Sequence, residues 1–116
     1  MNKELLIEGI KKLGMETTEE QIERFSKYSE LLKEWNNKIN LTAITDDDGI
    51  SVKHFLDSIL PLAHIEIKTG ANIADVGTGA GFPGLPIKII RDDINLTLID
   101  SLNKRINFLT LVSNEL

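Results

Sequence analysis

The run Asp75-Val76-Gly77-Thr78-Gly79-Ala80-Gly81-Phe82-Pro83-Gly84 limits what this 116-residue chain can fold into more than any other part of it. Ala71 to Val76 is short, partly apolar and bounded by glycines, which predicts a buried strand. Leu85 to Arg91 reads as a helix, with Pro83 and Pro86 tolerable because they fall in or before its first turn, where proline has no N–H bond to lose. A strand that turns through alternate glycines into a helix predicts the start of a doubly wound α/β sheet.

The same turn carries chemistry. Glycines let the backbone turn sharply and approach a ligand, and N–H groups free at a helix start can face an anion. The next strand signal, Ile94 to Ile99, ends in Asp100, 25 residues after Asp75. A carboxylate there can accept both hydroxyls of a ribose, so loop and acid together describe an adenosine-containing ligand lying across two adjacent strand ends. Two ligand classes fit. Gly79-x-Gly81-x-x-Gly84 satisfies the dinucleotide fingerprint. Gly77-x-Gly79-x-Gly81, with its first glycine directly after the strand, is the looser pattern of S-adenosylmethionine sites. Asp75 favours the second, because its carboxylate can hold an ammonium, through water or backbone, and would repel a pyrophosphate.

Three helices precede the first strand. Leu5, Leu6, Ile10 and Leu13 follow helical spacing and Gly14 stands where a left-handed cap would. Thr17 and Thr18, with Glu20 and Gln21, are overlapping capping-box candidates ahead of the stripe Ile22, Phe25, Leu32, Trp35 and Ile39. That helix should end near Asn36-Asn37, whose amides compete with the backbone. After a polar turn at Asp46 to Gly49, Ser51 is placed to cap a third helix bearing Val52, Phe55, Leu56, Ile59 and Leu60. Ser101 is placed to cap a last one bearing Leu102, Ile106, Leu109 and Val112. The chain thus divides into a helical segment, residues 1–68, and the start of a nucleotide-binding unit, residues 69–116.

Composition removes other classes. With 41% hydrophobic residues, disorder is not expected, and no apolar run is long enough to span a bilayer. The start, Met1-Asn2-Lys3-Glu4, leads into an amphipathic pattern and not a signal peptide, so a cytoplasmic location is expected. Zero cysteines exclude thiolate metal sites and a cysteine nucleophile, leaving His54 and His64 as imidazoles, and no metal site is expected. A net charge of -5 argues against general duplex binding and leaves room for a local basic patch. Lys104 and Arg105, beside Asp100, could meet RNA phosphate. His64 reads as a surface residue. Asp46-Asp47-Asp48-Gly49 is no calcium loop, since Ile44 and Phe55 occupy its first and last ligand positions.

Read in order, Trp35-Asn36 to Asn40-Leu41-Thr42, His54-Phe55-Leu56-Asp57-Ser58, the glycine-rich run, and Asp100-Ser101 with Lys104-Arg105 and Phe108-Leu109 closely resemble the ribosomal RNA small subunit methyltransferase G family, also called glucose-inhibited division protein B. The resemblance covers essentially the whole chain. It implies a Rossmann-like class I methyltransferase that uses S-adenosyl-L-methionine to methylate guanine N7 in bacterial small-subunit (16S) ribosomal RNA. Carried over by position, Gly77, Gly79 and Gly81 would line the methionine end of the cofactor, Phe82 would close the loop over it with its N–H or ring, and Asp100 would bind the ribose. Asn40 and His54 would lie near the mouth of the site, facing RNA. Guanine N7 holds an unshared pair at neutral pH, so no general base is expected among these residues and catalysis would rest on alignment.

The resemblance also implies a longer protein, of which this chain is the N-terminal half. The fold class expected is therefore α/β: N-terminal helices followed by the first strands of a truncated Rossmann-like sheet. Both outer edges of the strand pair would be unpaired, and Ile73, Ile94, Leu96 and Leu98 would lack covering helices. The fragment should associate through those edges or fold chiefly in residues 3–62, with cofactor affinity much weaker than that of the full-length protein and no turnover alone. Two other readings keep the loop. One is a nicotinamide-dinucleotide-dependent oxidoreductase; the other is a non-catalytic helical adaptor.

Overall fold

A computed structural model describes residues 1–116 as five helices and a two-stranded parallel sheet. Helix α1, Lys3–Lys12, starts at Asn2, whose side chain accepts the Leu5 N–H. It gives way at Gly14, where φ is +83°. Helix α2, Glu19–Asn36, opens on the capping box expected at Thr18 and Gln21, each side chain accepting the other's backbone N–H. It buries Ile22, Phe25, Tyr28 and Leu32 on one face. Ile39, expected on the same stripe, lies past the helix end and still packs against the core.

The third helix departs from expectation at its start. Residues 47–63 run without a break and are called α3; the part Ile50–Leu56 is widened to π geometry and the end, Leu60–Ala63, is tightened to 3-10 geometry. Asp46, and not Ser51, is the N-cap, its carboxylate accepting the Gly49 N–H at 2.8 Å. The polar run read as a turn is therefore the first turn of the helix, where Asp47 and Asp48 complement the helix dipole. Ser51 is fully buried instead, and its hydroxyl both donates to the Asn2 carbonyl and accepts the Asn2 N–H, each at 2.9 Å. Helix α1 lies so close to α3 that a Cβ on Gly9 would fall 2.5 Å from Leu56.

Strand β1, Asn72–Val76, pairs in parallel with β2, Asn95–Ile99, with Ile73 opposite Leu96 and Asp75 opposite Leu98. Between them α4 is Gly84–Ile90, and α5, Asn103–Glu115, follows β2. Ser101 does not cap α5. The Asp100 carboxylate takes the Leu102 N–H at 3.0 Å, and this local turn leads the chain into the helix.

One buried cluster draws on both parts of the chain, joining Leu6, Ile10, Phe25, Tyr28, Phe55 and Ile59 to Leu85, Ile89, Phe108, Leu109 and Val112. At about 1.5–3 kcal/mol for each large apolar side chain buried, the helical segment and the strand–helix unit stabilise each other. The sheet is covered on one face only, so β1 is not the fully buried strand expected. Ile94 is buried, and Leu96 and Leu98 pack on the core, contrary to the expectation that these side chains would be uncovered. The open face is the other one: the paired Val76 and Ile99 are 75% and 46% exposed, and the next pair on that face, Ala74 and Thr97, is exposed too. A period of two places alternate residues on opposite faces, and α4 packs on the face bearing Leu96 and Leu98, which line a pocket shared with Ile106 and Leu109 of α5. No helix of the chain is long and apolar enough to cross a membrane.

Candidate functional site

The site is built where β1 and β2 end side by side. Beyond Val76 the chain enters the left-handed region at Gly77, Gly79 and Gly81, with φ of +72°, +61° and +104°. These are backbone conformations that side chains with a Cβ rarely adopt, which is why glycine recurs at alternate positions. The three glycines face different surroundings. A Cβ on Gly77 or Gly79 would meet nothing within 4 Å, so their backbone borders open space. A Cβ on Gly81 would lie 2.6 Å from both Leu85 and the Tyr28 hydroxyl, so Gly81 turns inward. Gly84 has a third role: α4 presses on the sheet there, and a Cβ would reach Leu98 at 2.8 Å and Asp75 at 2.9 Å.

The loop spends its polar groups on itself and on the strand ends. The Ile99 carbonyl accepts the N–H groups of Gly77 and Thr78 at 2.7 and 3.1 Å, and the Thr78 carbonyl accepts those of Gly81 and Phe82. Asp75 Oδ2 accepts the Thr78 hydroxyl at 2.6 Å and the Gly84 N–H at 2.9 Å. Asp100 Oδ2 accepts the Gly79 N–H at 2.8 Å. The expectation that N–H groups at this helix start stand free for an anion is thereby corrected: those of Gly77, Thr78, Gly79, Gly81, Phe82 and Gly84 are all donated within the chain.

Asp100 is held on three sides. Its side chain is 2% exposed, accepts N–H bonds from Leu102 and Gly79, and faces the Arg105 guanidinium at 3.6 Å. The two backbone donors, Leu102 first, hold its carboxyl below the usual carboxylate range, so it is ionised at neutral pH. An ionised carboxylate has about four acceptor positions, and these N–H bonds occupy two.

The inner side of the loop is aromatic. The Phe82 ring lies between His54, stacked at 4.4 Å and 6°, and Tyr28, at 5.5 Å and 24°. Its N–H is donated to the Thr78 carbonyl, and the residue is half-buried. His54 Nε2 is 2.7 Å from the Thr42 hydroxyl, which also accepts the Ile44 N–H. Asn36 in turn clamps residues 41 and 42, accepting both their N–H groups and donating to the Thr42 carbonyl. Segments far apart in sequence therefore form one connected chain of contacts, from Asn36 through Thr42, His54 and Phe82 to the glycine loop. Burial pushes the His54 imidazole below its ordinary pKa, against a smaller opposing effect of the Asp57 charge.

Asn40, Lys104 and Arg105 come together in a surface depression beside Asp100, joined by Lys38 and the amides of Asn36 and Asn37. Lys38 also lies over the Trp35 ring at 5.2 Å, and Trp35 packs on Phe108, so it serves the core as expected. His54 lies apart from this depression, and His64 is exposed. Some participants were given no role by the sequence reading. Thr42 and Thr78 stand inside the motif segments without a stated function, and Lys38 carries no signal beyond its closeness to Asn40. Tyr28 had one, three residues after Phe25 and four before Leu32 on the apolar stripe of α2.

Comparison with known proteins gives the family of the chain. The sequence model of the family described as rRNA small subunit methyltransferase G matches residues 21–116. The chain belongs to the rRNA small subunit methyltransferase G family. It is 54% identical over 113 residues to Ribosomal RNA small subunit methyltransferase G of Clostridium perfringens (strain 13 / Type A), covering 97% of this chain and 47% of that protein. The protein of the same name from Lysinibacillus sphaericus is 52% identical over 116 residues, covering 100% of this chain and 49% of its own length. That from Exiguobacterium sibiricum is 47% identical over the same span. The chain spans about half the length of the curated relatives it matches. Its helices and two-stranded parallel sheet are consistent with part of a Rossmann-like methyltransferase fold.

Proposed function

We propose that the intact protein binds S-adenosyl-L-methionine across the ends of β1 and β2 and methylates N7 of a guanine in small-subunit ribosomal RNA. The observation that carries this reading is the donor and acceptor balance of the loop. A pyrophosphate needs free N–H groups, and this loop has donated nearly all of its own while placing two carboxylates, Asp75 and Asp100, at the adjacent strand ends. Such a site suits a ligand with positive charge and hydroxyls, and disfavours a nicotinamide dinucleotide. The open space over Gly77 and Gly79 supplies room for it.

The cofactor supplies a methyl group on a positively charged sulfur. Asp100 would accept the ribose hydroxyls with the carboxylate positions its N–H bonds leave unused, while Asp75 adds negative charge favouring the ammonium end. Gly77 and Gly79 let the backbone approach the methionine portion, with Gly81 holding the loop's shape from within. Because guanine N7 needs no deprotonation, the chain's task is alignment and exclusion of water, worth on the order of 7–11 kcal/mol. Asn40, Lys104 and Arg105, with Lys38, would hold RNA phosphate in the depression beside Asp100, the local patch an acidic protein requires. His54 would act at the RNA side through the loop it stacks on.

Incubating the intact protein with isotopically labelled S-adenosyl-L-methionine and small ribosomal subunits tests this directly. Mass spectrometry should find the label on one guanine of the RNA. Label in protein or small molecules and none in RNA would contradict it, as would tighter binding of a reduced nicotinamide dinucleotide.

A further inference from the structure

Four polar groups tie the loop to its surroundings, and three of them, the Asp75 and Asp100 carboxylates and the Ile99 carbonyl, stand at the strand ends. The fourth crosses from the helical segment. The Tyr28 hydroxyl, on α2, donates to the Ala80 carbonyl at 2.5 Å across 52 residues of sequence. Among the side chains of residues 1–63, Tyr28 alone makes a hydrogen bond to the loop. Its ring is fully buried against Phe55 at 5.3 Å and Phe82 at 5.5 Å, so the hydroxyl reaches Ala80 from a fixed position. The loop backbone rests on that hydroxyl, since a Cβ on Gly81 would meet it at 2.6 Å. Ala80 sits between Gly79, which borders the open cradle, and Gly81, which turns inward, so holding its carbonyl sets the angle between the two.

We propose that Tyr28 is the positioning residue of the cofactor loop, fixing through the Ala80 carbonyl the curvature that Gly77 and Gly79 present to the ligand. This rests on the reading of that cradle as the S-adenosyl-L-methionine site. Tyr28 acts through the backbone and does not touch the cofactor. A phenol is suited to this, because its aromatic body belongs in the core while its one polar tip delivers a directed bond. Burial, with a smaller contribution from the Asp75 charge, pushes the hydroxyl well above its ordinary pKa, so it is a neutral donor at neutral pH.

Tyr28→Phe in the intact protein keeps the ring and removes the donor. Amide hydrogen exchange at Gly79 and Gly81 should accelerate more than about tenfold while amides within α1 and α2 keep their wild-type rates. The KM for S-adenosyl-L-methionine should rise roughly five- to tenfold with kcat little changed, as expected when an interaction serving ground and transition states equally is lost. Ile10→Val, which thins the same core away from the loop, should lower the melting temperature and leave both readouts at wild-type values. Loop exchange at the wild-type rate in Tyr28→Phe, or an unchanged cofactor KM, would overturn the proposal. Wild-type protein that binds no S-adenosyl-L-methionine would overturn the functional reading, and the exchange measurement would still decide the role of Tyr28.

Discussion

The two sides of the glycine loop are held by different forces. On the outer side, carboxylates and a strand-end carbonyl accept N–H groups, and these contacts border open space at Gly77 and Gly79. On the inner side, Tyr28, Phe82 and Leu85 close around Gly81, and His54 stacks behind Phe82. A polar surface can share its acceptors with a ligand, whereas a packed one admits no added volume. The same residue type therefore serves two purposes within five positions: Gly77 and Gly79 are required for conformation, Gly81 for conformation and space together.

That contrast is broken most sharply at the glycines. Gly81→Val meets a positive φ and a packed wall at once, and should cost about 3 kcal/mol or more in urea unfolding, with loss of cofactor binding. Gly77→Ala meets only the φ penalty, roughly 1–2 kcal/mol. Equal losses at the two positions would show that the inner wall yields and that the two sides do not differ.

Asp100→Ala probes the outer side. It removes the acceptor for the Gly79 N–H together with the proposed ribose acceptor, and affinity for S-adenosyl-L-methionine should fall by at least about tenfold with helical circular dichroism unchanged. Asp100→Asn retains one acceptor oxygen and should fall between this variant and the wild type. Calorimetric titration ranks the three, and wild-type affinity in Asp100→Ala would remove the ribose assignment.

How far these features were legible in the sequence depended on the range of the interaction. Thr18 and Gln21, three residues apart, announced the start of α2, and alternate glycines after an apolar run announced the loop; both follow from local geometry. The start of α3 was misread because Ser51 has the chemistry of a cap, while its partner is Asn2, 49 residues earlier. The open face of the sheet was assigned to the wrong side chains for a similar reason. Alternation shows that Leu96 and Ile99 point in opposite directions, but which direction meets α4 is decided by tertiary packing. Asp75 and Asp100 were recognised as acceptors from their places at strand ends. Their use as braces for Gly84 and Gly79 was hidden, since it depends on how the loop folds back.

The smallest expected effect lies on the inner side, where charge has no favourable place. His54 is held in neutral form by burial, only partly opposed by the charge of Asp57, so its folded-state pKa lies below that of the unfolded chain. Between those two values the unfolded state binds more protons, and stability falls as pH drops from about 6.5 through the folded-state pKa. The His54 Nε2 lies 2.7 Å from the Thr42 hydroxyl, so a charged ring stays tied to the same half-buried place. Lowering pH from about 7.5 to 5.5 should thus reduce the melting temperature by a few degrees at most. His54→Gln, which keeps a polar group near Thr42 without a titrating ring, should remove that portion of the slope. The outer side gives no such response in this range, because Asp100 is held below the usual carboxylate range and stays ionised throughout. An identical pH slope in wild type and His54→Gln would place the titration elsewhere and leave the inner side insensitive to charge.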